Sequence, residues 1–400
     1  MVDSVGLRFG IPPTVPSGQR APVKSDDVAS NTSVQAPGYT LFDMGMGGYS
    51  CFRVPGVVHT GKSILVFAEA NANAGKSCSD HGPKDIVARR STDGGQSWGG
   101  IVSVLGDTLT TGAKIMYRNP TPIMYHNHTK GDGAVLLNVV NCTDFNGPGP
   151  WLSLQLHSTN DGLTWSSSKP AVGLAGGDYD GVLAGPGFGI QLGRHSETNR
   201  RDPILSNRVL YCGATGYHKG HAMNAVVWYS DTGGARWQVS STVFKEMGEC
   251  QMVELANGSI TIKFRNGDQV PPNACRCYAS SISHNGGRTW RLPVSYDPQL
   301  IEQGTAFGLL NNGQGGGDSL YFSNPADPTP GRDRMTVRRS GNSGLSWDKS
   351  LLVWNASAGY SVLTPVNDTH IGLVFENGGD TAPGYAERIS FVAVPNTLER

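Results

Sequence analysis

The chain has 400 residues, and its 32 Lys and Arg balance 32 Asp and Glu, so it carries no formal net charge. That balance argues against a nucleic-acid binder, which normally shows a basic excess, and a charged fraction of 16% excludes a disordered polyelectrolyte. With 54 Gly and 24 Pro, nearly a fifth of all positions, and no collagen-like period, the chain is dense in turns, which in a globular protein points to an all-β fold.

Residues 1–36 are polar and Pro-rich and are expected to form a flexible arm. They contain no apolar h-region, so no signal peptide is visible. Nowhere does an apolar stretch approach the roughly 18 residues of a membrane helix. Residues 37–400 read as one domain. Its first strand candidate is Tyr39 to Met44, followed by Phe52-Arg53-Val54-Pro55, an arginine at the start of an apolar strand. Ile64 to Ala68 is an apolar run of strand length, and Asp85 to Arg90 is the next strand-like run.

That run leads into Ser91 to Trp98, the first of five segments of the form S-x-D/N-x-G-x-S/T-W or close to it. Ser158 to Trp165 carries Asn160 at the Asp position, Ser283 to Trp290 carries Asn285, and Ser340 to Trp347 carries Asn342. Ser230 to Trp237 is degenerate: it lacks the Asp or Asn and the Ser or Thr before Trp. Each box is predicted to be a hairpin turn, in which Asp or Asn caps the turn, Gly supplies the positive φ and Trp packs back as a plug. The Trp-to-Trp spacings of 67, 72, 53 and 57 suit a four-stranded blade with long loops.

Strand candidates precede the later boxes at Ala225 to Tyr229 and Met335 to Arg338. After the fifth box come Ser361 to Thr364, Ile371 to Phe375 and Ile389 to Val394. With Tyr39 to Met44 these make a sixth blade, so the predicted fold is an all-β, six-bladed β-propeller with Asp-box repeats, ahead of a β-sandwich or β-helix. The boxes name a fold and not an activity.

Several charged residues lie at strand ends, where propeller loops converge on the axis. Glu249 precedes Met252 to Leu255, Ile260 to Phe264 runs into Arg265, and Arg332 stands three residues before the strand at Met335. Tyr360 follows the fifth box, and Leu373 to Phe375 ends in Glu376.

Other motifs point nowhere. Gly95 to Gly99 fits G-x-S-x-G but lies in a repeat turn, without the strand–turn–helix context of a hydrolase elbow. His126 with His128, and His218 with His221, have no carboxylate at a telling spacing, and Gly185 to Gly189 is not embedded in a βαβ pattern. No metal or cofactor site is expected. The seven cysteines are an odd number, leaving at least one outside any internal disulfide, and Cys275 with Cys277 reads as structural or disulfide cysteine. Six N-x-S/T sequons, at Asn31, Asn127, Asn141, Asn257, Asn355 and Asn367, favour a secretory or lysosomal origin.

Phe52-Arg53-Val54-Pro55, Phe67-Ala68-Glu69-Ala70, Ser79-Asp80, Arg89-Arg90-Ser91, Gly185 to Gln191, Glu249-Cys250-Gln251, Phe322 to Ala326 and Gly359-Tyr360-Ser361 together resemble the sialidases, most of all the eukaryotic lysosomal type. The resemblance covers about residues 38 to 396. It implies an exo-α-sialidase that releases terminal sialic acid, or a related nonulosonic acid, from sialylated oligosaccharides, glycoproteins or glycolipids. It implies that Arg53, Arg265 and Arg332 clamp the sugar carboxylate and that Glu376 orients the first of them. Asp80 matches the general acid/base, Tyr360 the nucleophile and Glu249 the base that activates it. Glu69 lies in the matched Phe-Ala-Glu-Ala motif and counts among the implied substrate-binding residues.

A tyrosine nucleophile has a physical reason. The anomeric carbon of sialic acid bears a carboxylate, which repels an anionic Asp or Glu; a neutral phenol deprotonated during attack avoids that repulsion. The arginines are expected to lower the phenol's pKa. One departure stands out: Asn71 occupies the position of a family arginine that binds near the sugar 4-hydroxyl, and Lys76 or Arg118 are candidates to replace it. A non-catalytic sialic-acid-binding propeller would keep the arginines and lose Asp80, Tyr360 or Glu249. A trans-sialidase would keep them all. The implied location is the secretory pathway, lysosomal or extracellular.

Overall fold

The computed structural model describes residues 38–72, 78–127, 132–142, 151–173, 182–215, 224–266, 275–313, 317–329, 331–379 and 384–398. The arm expected over 1–36 and the candidate residues Asn31, Lys76, His128, His218 and His221 lie outside these. The described residues belong to one compact unit, Ser33–Arg400. They are all-β as the turn-dense composition predicts: the helical segments are short, such as Thr108–Thr111 and Glu197–Arg201. No described helix is long and apolar enough to cross a membrane.

The described strands form four antiparallel-dominated sheets built from consecutive meanders. Cys51–His59, Ile64–Asn71, Lys84–Ser91 and Val102–Leu105 pair in order, and Lys84 bridges in parallel to Met116 at the start of the next meander. Cys250–Glu254, Ile260–Phe264, Cys277–Ser283 and Ser295–Ile301 form a separate sheet. The strand Lys349–Pro365 ends one meander and starts the next, pairing first with Asp333–Ser340 and then with His370–Asn377. The N-terminal strand Tyr39–Asp43 adds to Arg388–Pro395, as the sequence predicts for the last meander.

The first strands of the meanders pack side by side. Cys51–His59 lies against Met116–Asn127, and that strand against Ile190–Gln191. Cys250–Glu254 lies between Ile190–Gln191 and Gly308–Asn311, which meets Lys349–Pro365. Lys349–Pro365 packs on Cys51–His59, so the series returns to its first member. Every residue of Ile64–Asn71 is buried, as expected for a strand covered on both faces. Glu69 and Asn71 are polar exceptions in that run.

The boxes explain the repeat. In all five the serine hydroxyl accepts from the glycine N–H at 2.8–3.0 Å, for example Gly95 to Ser91 and Gly234 to Ser230. The glycines, at φ 78° to 89°, adopt a conformation costly for other residues. A Cβ at Gly95 would also lie 2.2 Å from Phe391 Cε1. Asp93, Asn160, Asn285 and Asn342 accept from the N–H four residues on, at 2.9–3.0 Å. The degenerate box keeps this bond through Thr232 Oγ1, which accepts from Arg236 N at 2.9 Å. Its Asp231 is released to pair with the buried Arg208. Trp98, Trp237, Trp290 and Trp347 are buried, each contributing roughly 2–3 kcal/mol by area.

Three disulfides close described segments: Cys51–Cys78, Cys212–Cys250 and Cys275–Cys277. The seventh cysteine, Cys142, keeps a buried thiol that donates to Met116 Sδ at 3.6 Å.

Candidate active site

Arg53 sits where the strand Cys51–His59 loses its regular register with Ile64–Asn71. The next residue, Val54, has φ 54°, a strained value for a β-branched side chain. The distortion turns Val54 N toward Glu376 Oε1 at 2.8 Å, beside the Arg53 Nε contact to the same oxygen at 2.7 Å. The other oxygen of Glu376 accepts from Tyr360 N at 2.9 Å. One fully buried carboxylate thus ties together the arginine and the backbone that presents the tyrosine. Burial works against the Arg53 cation, but Glu376, with Asp80 and Tyr360, more than offsets it, so its pKa rises. Gly359 is required here, since a Cβ would lie 2.3 Å from Glu376 Oε2.

Tyr360 lies at a second irregularity, between Ala358 and Ser361 of Lys349–Pro365. Its hydroxyl donates to Glu249 Oε1 at 2.5 Å. Arg265 Nη1 donates to Glu249 Oε2 at 2.9 Å and to the Tyr360 hydroxyl at 3.3 Å. The expectation that arginines lower the phenol's pKa is corrected. Burial foremost, then the Glu249 charge, push Tyr360 well above its ordinary value, and the pull of Arg265 and Arg332 does not overcome them. The resting group is a neutral phenol already bonded to a base.

Asp80 is half-exposed, on the turn before Lys84–Ser91, with Arg118 Nη2 at 3.3 Å. Burial pushes it up, but Arg118, Arg53, Lys84 and Arg332 together hold it below the usual carboxylate range. Glu69 lies beneath the cluster: its side chain is fully buried, accepts from Asn119 N at 2.8 Å and stands 3.7 Å from Arg118 Nε. Glu69 thus lies between Arg118 and the Asn119 backbone. Asn71 is also buried and donates to Ser79 O at 3.5 Å, toward the acid turn.

The BNR repeat-like domain model matches residues 63–373. The chain belongs to the BNR repeat-like domain family. This BNR repeat-like protein is 28% identical over 358 residues to a sialidase of Micromonospora viridifaciens, covering 86% of this chain and 53% of that one. It is 25% identical over 382 residues to a sialidase of Bacteroides fragilis, covering 88% and 64%. Both relatives are bacterial, and the chain spans about half to two thirds of their lengths. Its fold is like that of the Hadza microbial sialidase Hz136, with a TM-score of 0.73 at 23% identity, covering 90% of this chain and 68% of that one.

In this BNR repeat-like protein the sequence distinguishes Arg332 from its neighbours only by spacing, and the geometry separates them further. The Arg332 guanidinium lies 4.8 Å from the Tyr385 ring centroid and that of Arg53 lies 5.1 Å from it, so one ring spans both cations. Arg332 Nη2 also donates to Gly304 O at 2.7 Å. Arg334 turns instead to Asn355, and Arg338 to Asn324. Tyr385 and Lys84 are site residues that sequence reasoning missed: Tyr385 stands outside every repeat, and Lys84 reads as an ordinary strand-end charge. A cavity of about 480 Å³ lies near the opposite ends of the inner strands, lined by His59, His126, Arg194 and Glu254, away from Arg53 and Tyr360.

Proposed function

We propose that the chain is an exo-α-sialidase acting on terminal sialic acid of glycoconjugates by a retaining mechanism. The observation that carries this is Tyr360 donating at 2.5 Å to Glu249, with Arg265 bridging both and Glu376 fixing Arg53 beside them. Arg53, Arg265 and Arg332 take the sugar carboxylate; charge-assisted bonds of this kind contribute roughly 1.5–3 kcal/mol each. Glu249 accepts the phenol proton as Tyr360 Oη attacks the anomeric carbon. Asp80 gives its proton to the glycosidic oxygen, and the aglycone leaves as an alcohol. Asp80 then takes a proton from water, which displaces the tyrosine, and Glu249 returns the proton to Tyr360.

The experiment that tests this is proton NMR of an α-sialoside during hydrolysis. Two displacements at one carbon require that the first-formed sugar be the α-anomer. An initial β-anomer would sink the covalent mechanism, and transfer products in place of free sugar would mark a trans-sialidase.

We expect acid pH dependence with a particular asymmetry. The Asp80 proton must be present for aglycone departure, so the optimum falls below about pH 6. A bound carboxylate neutralises Arg53 and Arg332, which removes part of the pull that holds Asp80 low. The alkaline limb of kcat, which reports the complex, therefore lies at higher pH than that of kcat/KM, which reports the free enzyme. Coincident limbs, or an alkaline optimum, would contradict the assignment of Asp80.

The domain reading is part of the same proposal: a single six-bladed propeller over residues 37–400. The cyclic packing of the first strands and the five boxes support it. We also propose an oxidising compartment, secretory, lysosomal or extracellular. Disulfides and the exposed sequon residues Asn257, Asn355 and Asn367 support that location. Its lysosomal branch, like the eukaryotic lysosomal subtype, rests on the sequence resemblance alone.

A further inference from the structure

Lys84 is a buried cation that the proposed mechanism does not use. It lies on Lys84–Ser91 opposite Asn71 and is 1% exposed. A lysine so buried needs partners for its ammonium, and long charged side chains rarely go under without one. Its Nζ donates to Ser79 O at 2.9 Å and to His81 O at 3.3 Å. These carbonyls belong to the two residues that flank Asp80. The turn is tight, because His81 N donates back to Ser79 Oγ at 3.1 Å. The Cys51–Cys78 disulfide anchors it on one side, and on the other Pro83 O accepts from Ala72 N at 3.1 Å.

Between these anchors Asp80 projects with its side chain 54% exposed. Burial, foremost, pushes the Lys84 ammonium down to about 8, with Arg118 and Arg53 in the same direction and Glu69 and Asp80 against. It is therefore charged at acid to neutral pH, and its two bonds are charge-assisted, about twice as strong as neutral ones.

We propose that Lys84 is the positioning residue for the general acid: by gripping Ser79 O and His81 O it fixes the turn that aims Asp80 at the departing oxygen. This rests on the sialidase reading of Asp80. Asp80 acts as acid when the aglycone leaves and as base when water enters; only the first step, which kcat/KM reports, should depend on the leaving group. A sialyllactose aglycone leaves as a sugar alcohol and needs its proton, whereas 4-methylumbelliferone leaves readily without one.

Lys84→Met should lower kcat/KM on sialyllactose by about 100-fold and on the 4-methylumbelliferyl glycoside by under about fivefold. Lys84→Arg, which keeps a buried donor cation, should restore most of the loss. If the methionine variant does not fold, Lys84→Gln carries the same comparison. An equal fall in kcat/KM on both substrates would mean general weakening and would overturn the proposal, as would no fall on either.

Hydrogen exchange over residues 78–83 at pH 6 tests the grip without any substrate. Exchange should be at least about tenfold faster in the variant than in the wild type, a local opening confined to this turn; unchanged exchange would overturn the proposal. A wild-type chain that cleaves neither substrate would count against the sialidase reading, and the exchange result would then judge the grip alone.

Discussion

Tyr360→Phe is expected to lower kcat on a sialoside by at least about 1000-fold, roughly 4 kcal/mol of barrier, with KM changed only a few-fold. The substitution removes a single oxygen, the one that donates to Glu249 Oε1. The residues proposed to bind the sugar carboxylate stay in place. Arg53 remains on Glu376, Arg332 remains on Gly304 O, and Arg265 keeps its 2.9 Å contact with Glu249. Because Glu249 retains that charged partner, the buried carboxylate is not orphaned, and unfolding free energy should change by no more than about 1–2 kcal/mol. The pattern of lost turnover, kept binding and kept fold separates a nucleophile from a structural tyrosine. A fall in kcat of less than tenfold in steady-state assays would show that the attacking atom is elsewhere.

Much of this molecule is legible along the chain because the repeat writes its own physics. A turn needing Ser, Asp or Asn, a positive-φ Gly and a Trp plug leaves a pattern that recurs along the chain while the strands between differ in sequence, and Thr232 shows how a box can lose its acid and keep its bond. The candidate site is read by a different route. Arg53, Glu249, Arg265, Tyr360 and Glu376 are polar residues at the ends of apolar strands, each a weak signal alone, and it is the ordered motifs resembling the sialidases that single them out. What could not be read is which partner each one finds. Arg53 and Glu376 are separated by 323 residues, and Tyr360 and Glu249 by 111.

Glu69 illustrates the limit. Its motif identifies it, but only the fold reveals that it lies under Arg118 and accepts from Asn119 N. The phenol's pKa failed in sign because counting arginines ignores burial and the adjacent carboxylate, which together outweigh them. Tyr385 left no signal, since a lone aromatic between loops looks the same whether or not it spans two guanidinium groups.

Glu376→Ala should be the costliest single change to stability in the site, lowering unfolding free energy by about 3–5 kcal/mol, the loss expected when one partner of a buried ion pair is removed. The carboxylate accepts from Arg53 Nε at 2.7 Å, Val54 N at 2.8 Å and Tyr360 N at 2.9 Å. Alanine leaves a buried guanidinium uncompensated and two backbone donors without their acceptor. It also releases the strained turn at Val54 (φ 54°), which these bonds hold.

Arg53→Ala should cost less, because the remaining carboxylate keeps both backbone N–H donors. Glu376→Gln should fall between: it retains one acceptor oxygen, but its amide turns a donor toward either Arg53 or Tyr360 N. All three changes should cut kcat/KM by at least about 100-fold, since each disturbs the proposed carboxylate clamp. The ordering of stabilities is the sharper test. Denaturant unfolding that finds Glu376→Ala within about 1 kcal/mol of the wild type, or Arg53→Ala the more destabilised, would mean that Glu376 is not the keystone joining the clamp to the tyrosine strand.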